Sequence, residues 1–155
     1  MKRILCLMVI VCIITGCSKK EQAVDNKTRI SSTGELICGY KENRVEENIY
    51  YSSLYQYKFD NNGALSEIVD TEIIEFLKED KEIKKDYEKE LNEAMKDYKD
   101  KKGVKATKKL EDKKYTMTIT IDVDKISEED KEDYIVAEDR ISAYKIFTAA
   151  GYTCE

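Results

Sequence analysis

The sequence predicts an α+β domain in which an antiparallel sheet of about four to five strands carries one long helix and a C-terminal helix packed on one face. Two observations lead to this fold class: alternating strand patterns lie on both sides of a segment with helical period, and no internal repeat is present. The chain has 155 residues, of which 41% are hydrophobic and 38% are charged. These values are typical of one folded domain with a heavily charged surface.

Residues 1–16 have the pattern of a bacterial lipoprotein signal peptide. Two basic residues precede the apolar run 4–14, which covers about 16 Å as a helix, half of a bilayer core, and is too short to span it. The tetrapeptide ITGC at 14–17 resembles a lipobox, in which the thiol of Cys17 accepts a diacylglycerol before cleavage. The alternative is a conventional signal peptide with a cysteine at its cleavage site.

This pattern predicts a protein anchored in the cell membrane by acylated Cys17 and facing the extracytoplasmic side. Residues 17–33 are polar without an apolar period and form a flexible tether, and 34–155 form the single domain. Removal of two basic residues with the signal peptide leaves 25 basic and 32 acidic residues, a net charge of −7. Because both signs are interspersed along the chain, we expect the bilayer as a partner and no nucleic acid.

The cysteines predict one disulfide bond. Cys6 and Cys12 leave with the signal peptide and Cys17 carries the lipid, so Cys38 and Cys154 remain in a compartment that permits disulfides. A bond between them would close nearly the whole domain. Two buried free thiols and a redox pair are the alternatives, although a redox pair more often has C-x-x-C spacing.

The first strands are predicted at 34–40, 50–59 and 64–76. The second is rich in aromatic and strand-forming residues. Asn62-Gly63 is a favoured central pair of a type I′ hairpin turn between the second and third strands. The third strand has apolar residues on both faces, so we expect a bulge or a change to helix within it.

A long helix is predicted from about Asp80 to Lys101. Apolar residues recur every four positions between Ile83 and Met95, and lysine and glutamate fill the other face. We interpret that charge run as a solvated helix face. Gly103 is placed where a glycine would terminate the helix.

The remaining elements follow from alternation and capping. A strand is predicted at 104–110, and strict alternation with threonine predicts a strand over 115–123 with one face in the core. Ser127 has the capping-box arrangement for a short helix. A second helix is predicted near 138–150, and 152–154 could return as an extended end to the first strand.

The composition excludes several catalytic classes. The chain has no histidine, which removes Ser–His–Asp and Cys–His nucleophiles and every His-ligated zinc site. Asp122 and Asp124 have the first spacing of an EF-hand calcium loop, but Ser127 replaces the required glycine and Asp133 the final glutamate. We therefore predict no metal, no cofactor and no catalytic residue.

Tyrosines of the second strand are the candidate binding residues. An exposed aromatic strip of Tyr50, Tyr51, Tyr55 and Tyr57 could bind a glycan or an envelope protein. Tyrosine is equally favoured in a half-buried strand. Alternation places Tyr55 and Tyr57 on one face and Tyr50 on the other, and we expect one of these sets in the core.

Several of these segments together resemble a known family. The lipobox, the Asn62-Gly63 turn, the Lys/Glu helix before Gly103, the run YTMTITIDVDK at 115–125 and the ending AAGY at 149–152 are similar to small bacterial lipoproteins of the YehR-like group. The function of that family is unknown, so the resemblance implies no catalytic residue. The Cys38 and Cys154 pair is associated with its Firmicute-like members.

The sequence thus favours a binding or interaction module of the cell envelope and not an enzyme. A metal- or carboxylate-dependent hydrolase that uses Asp122 and Asp124, and a passive structural lipoprotein, are the alternatives.

Overall fold

A computed structural model describes residues 31–134 and 137–155. The predicted signal peptide, the lipidation site Cys17 and most of the predicted tether lie outside the described residues. The elements in chain order are β1 (Gly34–Arg44), a 3₁₀ turn (Val45–Glu47), β2 (Ile49–Phe59), β3 (Leu65–Phe76), α1 (Lys81–Asp97), β4 (Val104–Leu110), β5 (Lys114–Asp122), α2 (Glu128–Tyr134), α3 (Arg140–Ala149) and β6 (Thr153–Cys154).

The predicted α+β class is confirmed. All strand pairs are antiparallel, and the order across the sheet is β4-β5-β3-β2-β1-β6. The sheet has six strands where four to five were expected, because the short C-terminal segment pairs with β1 and adds an edge strand. Among the described residues, no helix is long and apolar enough to cross a membrane.

Side-chain alternation divides the sheet into a covered face and an open face. On β5 the covered face holds Tyr115, Met117, Ile119 and Ile121, all buried, while the threonines between them are only partly buried. Strand neighbours share a face, so the register carries this assignment across the sheet. The hydrophobic core therefore lies between the covered face and the helices.

Helix α1 begins at Asp80, whose carboxylate accepts hydrogen bonds from the backbone N–H groups of Glu82 and Ile83 at 3.0 and 3.1 Å. The helix ends at Asp97, before the predicted Lys101. Gly103 therefore does not terminate it. That glycine has φ +79° just before β4, where a Cβ atom would lie 2.7 Å from a backbone nitrogen, and this close approach requires glycine.

Helix α3 lies on the same covered face, near the edge formed by β1 and β6. Its Asp139 cap accepts hydrogen bonds from two backbone N–H groups. The Phe147 ring lies 4.9 Å from the Tyr55 ring and 5.5 Å from the Tyr57 ring, centre to centre. Next to this helix, Cys38 of β1 and Cys154 of β6 form a disulfide bond with their Cα atoms 4.1 Å apart. The predicted disulfide is thus present.

The β2–β3 connection differs from the predicted type I′ turn. That turn needs positive φ at both central residues, and here Gly63 has φ +83° but Asn62 does not. The Asp60 carboxylate instead accepts hydrogen bonds from the backbone N–H groups of Asn62 and Ala64 and stabilises a longer turn. The bulge expected in the third strand occurs at Ser66, where the pairing register with β2 shifts, and no change to helix follows.

Candidate functional site

Helices α1 and α3 lie over different parts of the covered face. Helix α1 contacts β4 near one edge of the sheet, and α3 contacts β1 and β6 near the other. Strands β2 and β3 lie between those contacts. Side chains of both helices also reach these two strands: Tyr87 of α1 packs on Phe76, and Phe147 of α3 packs on Tyr55.

Polar residues occupy this central position. On β3, Ile68 and Ile74 are buried on the covered face, and the period of two places Asp70 and Glu72 on that face between them. The register with β2 sets Asp70 opposite Tyr55 and Glu72 opposite Ser53. We call Tyr51, Ser53, Tyr55, Asp70 and Glu72 the inter-helix cluster.

Asp70 is the most unusual member of the cluster. Its side chain is buried, with only 4% of the residue exposed, and within residues 31–134 and 137–155 neither carboxylate oxygen has a hydrogen-bond partner. The Tyr55 hydroxyl is close enough to lower the pKa of this carboxyl, but it does not reach hydrogen-bond geometry. Burial and the nearby Glu72 charge outweigh that effect and raise the pKa of Asp70 to about 8. The carboxyl group is therefore mostly protonated at neutral pH.

Glu72 is held by one tyrosine. The Tyr51 hydroxyl donates a hydrogen bond of 2.8 Å to Oε1 of Glu72. Burial raises the pKa of Glu72, although this hydrogen bond and the charge of Arg44 oppose the rise. Arg44 itself lies over the Tyr51 ring, 4.4 Å from its centre, and its Nε donates to Glu42 at 2.8 Å. The cation whose charge acts on Glu72 is therefore already bound to another carboxylate.

The other groups of the cluster and its surroundings are hydroxyls. Ser53 is 3% exposed, and its Oγ lacks a hydrogen-bond partner among the described residues, although Tyr152 approaches it. Tyr98, after the end of α1, lies within electrostatic range of Asp70 and Glu72. The two acids are thus surrounded by tyrosine and serine hydroxyls.

This arrangement favours binding of a positively charged group. Asp70 and Glu72 are two partly desolvated carboxyl groups on one stretch of β3. Burial and the charge of Glu72 disfavour ionisation of Asp70 as long as no cation is bound. Among the described residues, no group of three or more Cys, Asp or Glu side chains could hold a metal ion. Tyrosine rings and hydroxyls around the carboxyl groups supply the aromatic faces and hydrogen-bond acceptors of a small recognition site.

The predicted tyrosines do not form one exposed strip. Tyr57 is 2% exposed and belongs to the core, stacked near Phe59. Tyr51 and Tyr55 are half-buried on the same covered face and belong to the inter-helix cluster. Tyr50 lies on the open face, opposite Glu75 of β3. The tyrosines are thus divided between the two faces as expected, and Tyr57 lies in the core.

The aspartates considered for calcium lie at the end of β5. Asp122 accepts a hydrogen bond from the Lys125 ammonium group, and Asp124 is exposed. Asp130 accepts from the Ser127 hydroxyl and pairs with Lys101 at 2.9 Å. Asp122 and Asp130 are thus each paired with a lysine, and these aspartates belong to no group of described acids that could hold a metal ion.

Sequence reasoning missed both acids of the cluster. Apolar residues on both faces of β3 concealed which face is covered. The usable signal was the pair Ile68 and Ile74: six positions apart, they share a face, and the period of two then places Asp70 and Glu72 on that face.

Comparison with protein-family models, with curated proteins and with solved structures gives no match for this chain.

Proposed function

We propose that this protein is a lipid-anchored, extracytoplasmic binding module whose ligand site is the inter-helix cluster. The observation that carries the proposal is the Asp70 carboxyl group, buried on the covered face with no hydrogen-bond partner among the described residues. A buried carboxyl group without a partner lowers stability, and such groups concentrate at functional sites. Glu72, Tyr51 and Tyr55 are only partly buried, so the cluster is not fully closed to solvent.

The location is supported by the first 17 residues and by the Cys38–Cys154 bond. A basic start, a short apolar run and a lipobox-like tetrapeptide precede Cys17. Disulfide bonds persist mainly outside the cytosol. An envelope protein or a glycan remains the proposed class of partner, and we propose no catalytic role.

The anchor is tested by the intact mass of the protein extracted from membranes, with and without reduction and alkylation. We expect the mass of residues 17–155 plus a diacylglyceryl group, with Cys38 and Cys154 alkylated only after reduction. A Cys17→Ser variant should lose the lipid and leave the membrane fraction. A mass without lipid in the native chain would contradict the anchor.

The binding role is tested by thermal stability in the presence of defined ligand classes: alkyl amines, neutral oligosaccharides and short peptides. A ligand of the cluster should raise the Tm of the native chain and not that of the Asp70→Asn/Glu72→Gln double variant. Glu75→Gln is the matched control, since Glu75 is an exposed acid on the open face of the same strand. If no class gives a shift that depends on the cluster, the proposed site is wrong.

A further inference from the structure

The chemistry of the inter-helix cluster indicates which ligand it takes. We propose that the cluster binds an organic cation through a head group that carries N–H bonds, either a primary ammonium or a guanidinium group, paired with Asp70 and Glu72. This inference rests on the proposed function, because it assumes that the cluster is a ligand site. It starts from the same observation: Asp70, one of the two acids, is almost fully buried, and neither of its oxygens has a partner in the described part of the chain.

Charge selects a cation. Asp70 and Glu72 are two positions apart on one face of β3. Arg44, whose charge acts on Glu72, is bound to Glu42 and stacked on Tyr51. An anionic ligand would add negative charge beside these acids in a poorly solvated place, which is unfavourable. A cation instead neutralises the acids and allows both to ionise.

The available acceptors select a cation with N–H donors. Both oxygens of Asp70 and the Oγ of Ser53 are buried, and no described residue is their hydrogen-bond partner. A primary ammonium group has three N–H donors and a guanidinium five, so either has enough donors for the Asp70 carboxylate and a neighbouring acceptor. A quaternary ammonium group has none and would leave them unsatisfied, although it could still contact tyrosine rings.

Binding is coupled to proton release. In the free protein the Asp70 carboxyl keeps its proton at neutral pH, and pairing with the cation requires that this proton leave to solvent while the ligand stays protonated. The titratable groups that face Asp70 are Glu72 on its own strand, Tyr51 and Tyr55 on β2, Tyr98 after α1 and Tyr152 after α3. Burial raises the pKa of each tyrosine, so they stay neutral below pH 8 and Asp70 dominates the pH dependence.

The test is isothermal titration calorimetry of the full chain in detergent at constant ionic strength, with putrescine, agmatine, the N-acetylated and C-amidated tripeptide Ala-Lys-Ala and choline as probes. With the Asp70 pKa at about 8, the affinity for the N–H-bearing probes should rise about 50-fold between pH 6 and pH 8. At pH 7 about 0.9 proton should be released per bound cation, measured in buffers of different ionisation enthalpy. Choline should bind at least tenfold more weakly.

Variants make the result specific. Asp70→Asn should reduce affinity and remove most of the proton release, Glu72→Gln should reduce affinity, and Glu75→Gln should do neither. If Asp70→Asn fails to fold, the affinity of Glu72→Gln and the number of protons that the native chain releases per bound cation still test the inference. Binding of free amines alone identifies a small molecule as the source of the cation, and equal binding of Ala-Lys-Ala identifies a lysine side chain.

Three outcomes would overturn the inference: no binding of any N–H-bearing probe, equal binding of choline, or binding unchanged by both cluster variants. If amines fail while oligosaccharides or another class stabilise the native chain through the cluster, only the ligand class is wrong. If no class does so, the proposed function fails as well.

Discussion

Replacement of Asp70 by asparagine should change how stability depends on pH. The pKa of this carboxyl is about 8 in the folded chain and close to its ordinary value near 4 when the chain is unfolded. Between these values the folded state binds the proton and the unfolded state does not. The free energy of unfolding therefore falls as pH rises, by about 1.4 kcal/mol per pH unit. The total loss of unfolding free energy caused by Asp70 reaches about 4 kcal/mol at pH 7.

The variant has no carboxyl group at position 70, so this contribution disappears. Glu72 retains a smaller slope of the same sign, because burial raises its pKa as well. Between pH 5 and pH 7 we expect the native chain to lose about 3 kcal/mol more unfolding free energy than the Asp70→Asn variant. Asparagine has nearly the same shape, and it introduces no cavity.

The assay is urea denaturation followed by far-UV circular dichroism at pH 5, 6, 7 and 8, with the difference between variant and native chain taken at each pH. Asp124→Asn is the matched control, since Asp124 is exposed after β5. The control should have the pH profile of the native chain. If Asp70→Asn also keeps the native profile, Asp70 does not titrate near pH 8 and the reasoning is refuted.

Three further changes test the fold by urea denaturation. Replacing Cys38 and Cys154 by serine should lower the unfolding free energy by about 4–5 kcal/mol, because the bond joins residues 116 positions apart, and no loss would show that it does not constrain the unfolded chain. Gly103→Ala should cost at least about 1 kcal/mol more than Gly34→Ala, since both have positive φ but only Gly103 has backbone within 3 Å of a new Cβ atom; equal costs would contradict that contact. Asp139→Ala should cost about 1 kcal/mol through loss of the α3 cap, and an unchanged stability would argue against the cap.

Most elements could be predicted because their local signals agree with the tertiary structure. Strand β5 alternates strictly between apolar residues and threonine, so its covered face is evident from the sequence alone. Ser127 accepts a hydrogen bond from the backbone N–H of Asp130 at 3.1 Å, as its capping-box position predicts. In both cases the deciding interaction is local in the chain.

The candidate site could not be predicted because it depends on non-local pairing. Asp70 lies opposite Tyr55 on one side and Ile119 on the other, and both contacts follow from the register of β3 with its neighbours. Its burial depends further on how α1 and α3 divide the sheet between them. The predicted type I′ turn after β2 is wrong for a related reason. Hydrogen bonds to the Asp60 side chain stabilise a different turn from the one that Asn62-Gly63 favours.

The most direct test of the proposed site is the titration of the Asp70 side-chain carboxyl by ¹³C NMR between pH 3 and pH 10. A buried carboxyl group without a partner should titrate with a midpoint of about 8, and the midpoint should fall when putrescine is added. A midpoint near 4 in the free protein would show that Asp70 is solvated or already paired. The inter-helix cluster would then lack the uncompensated acid on which its proposed binding role depends.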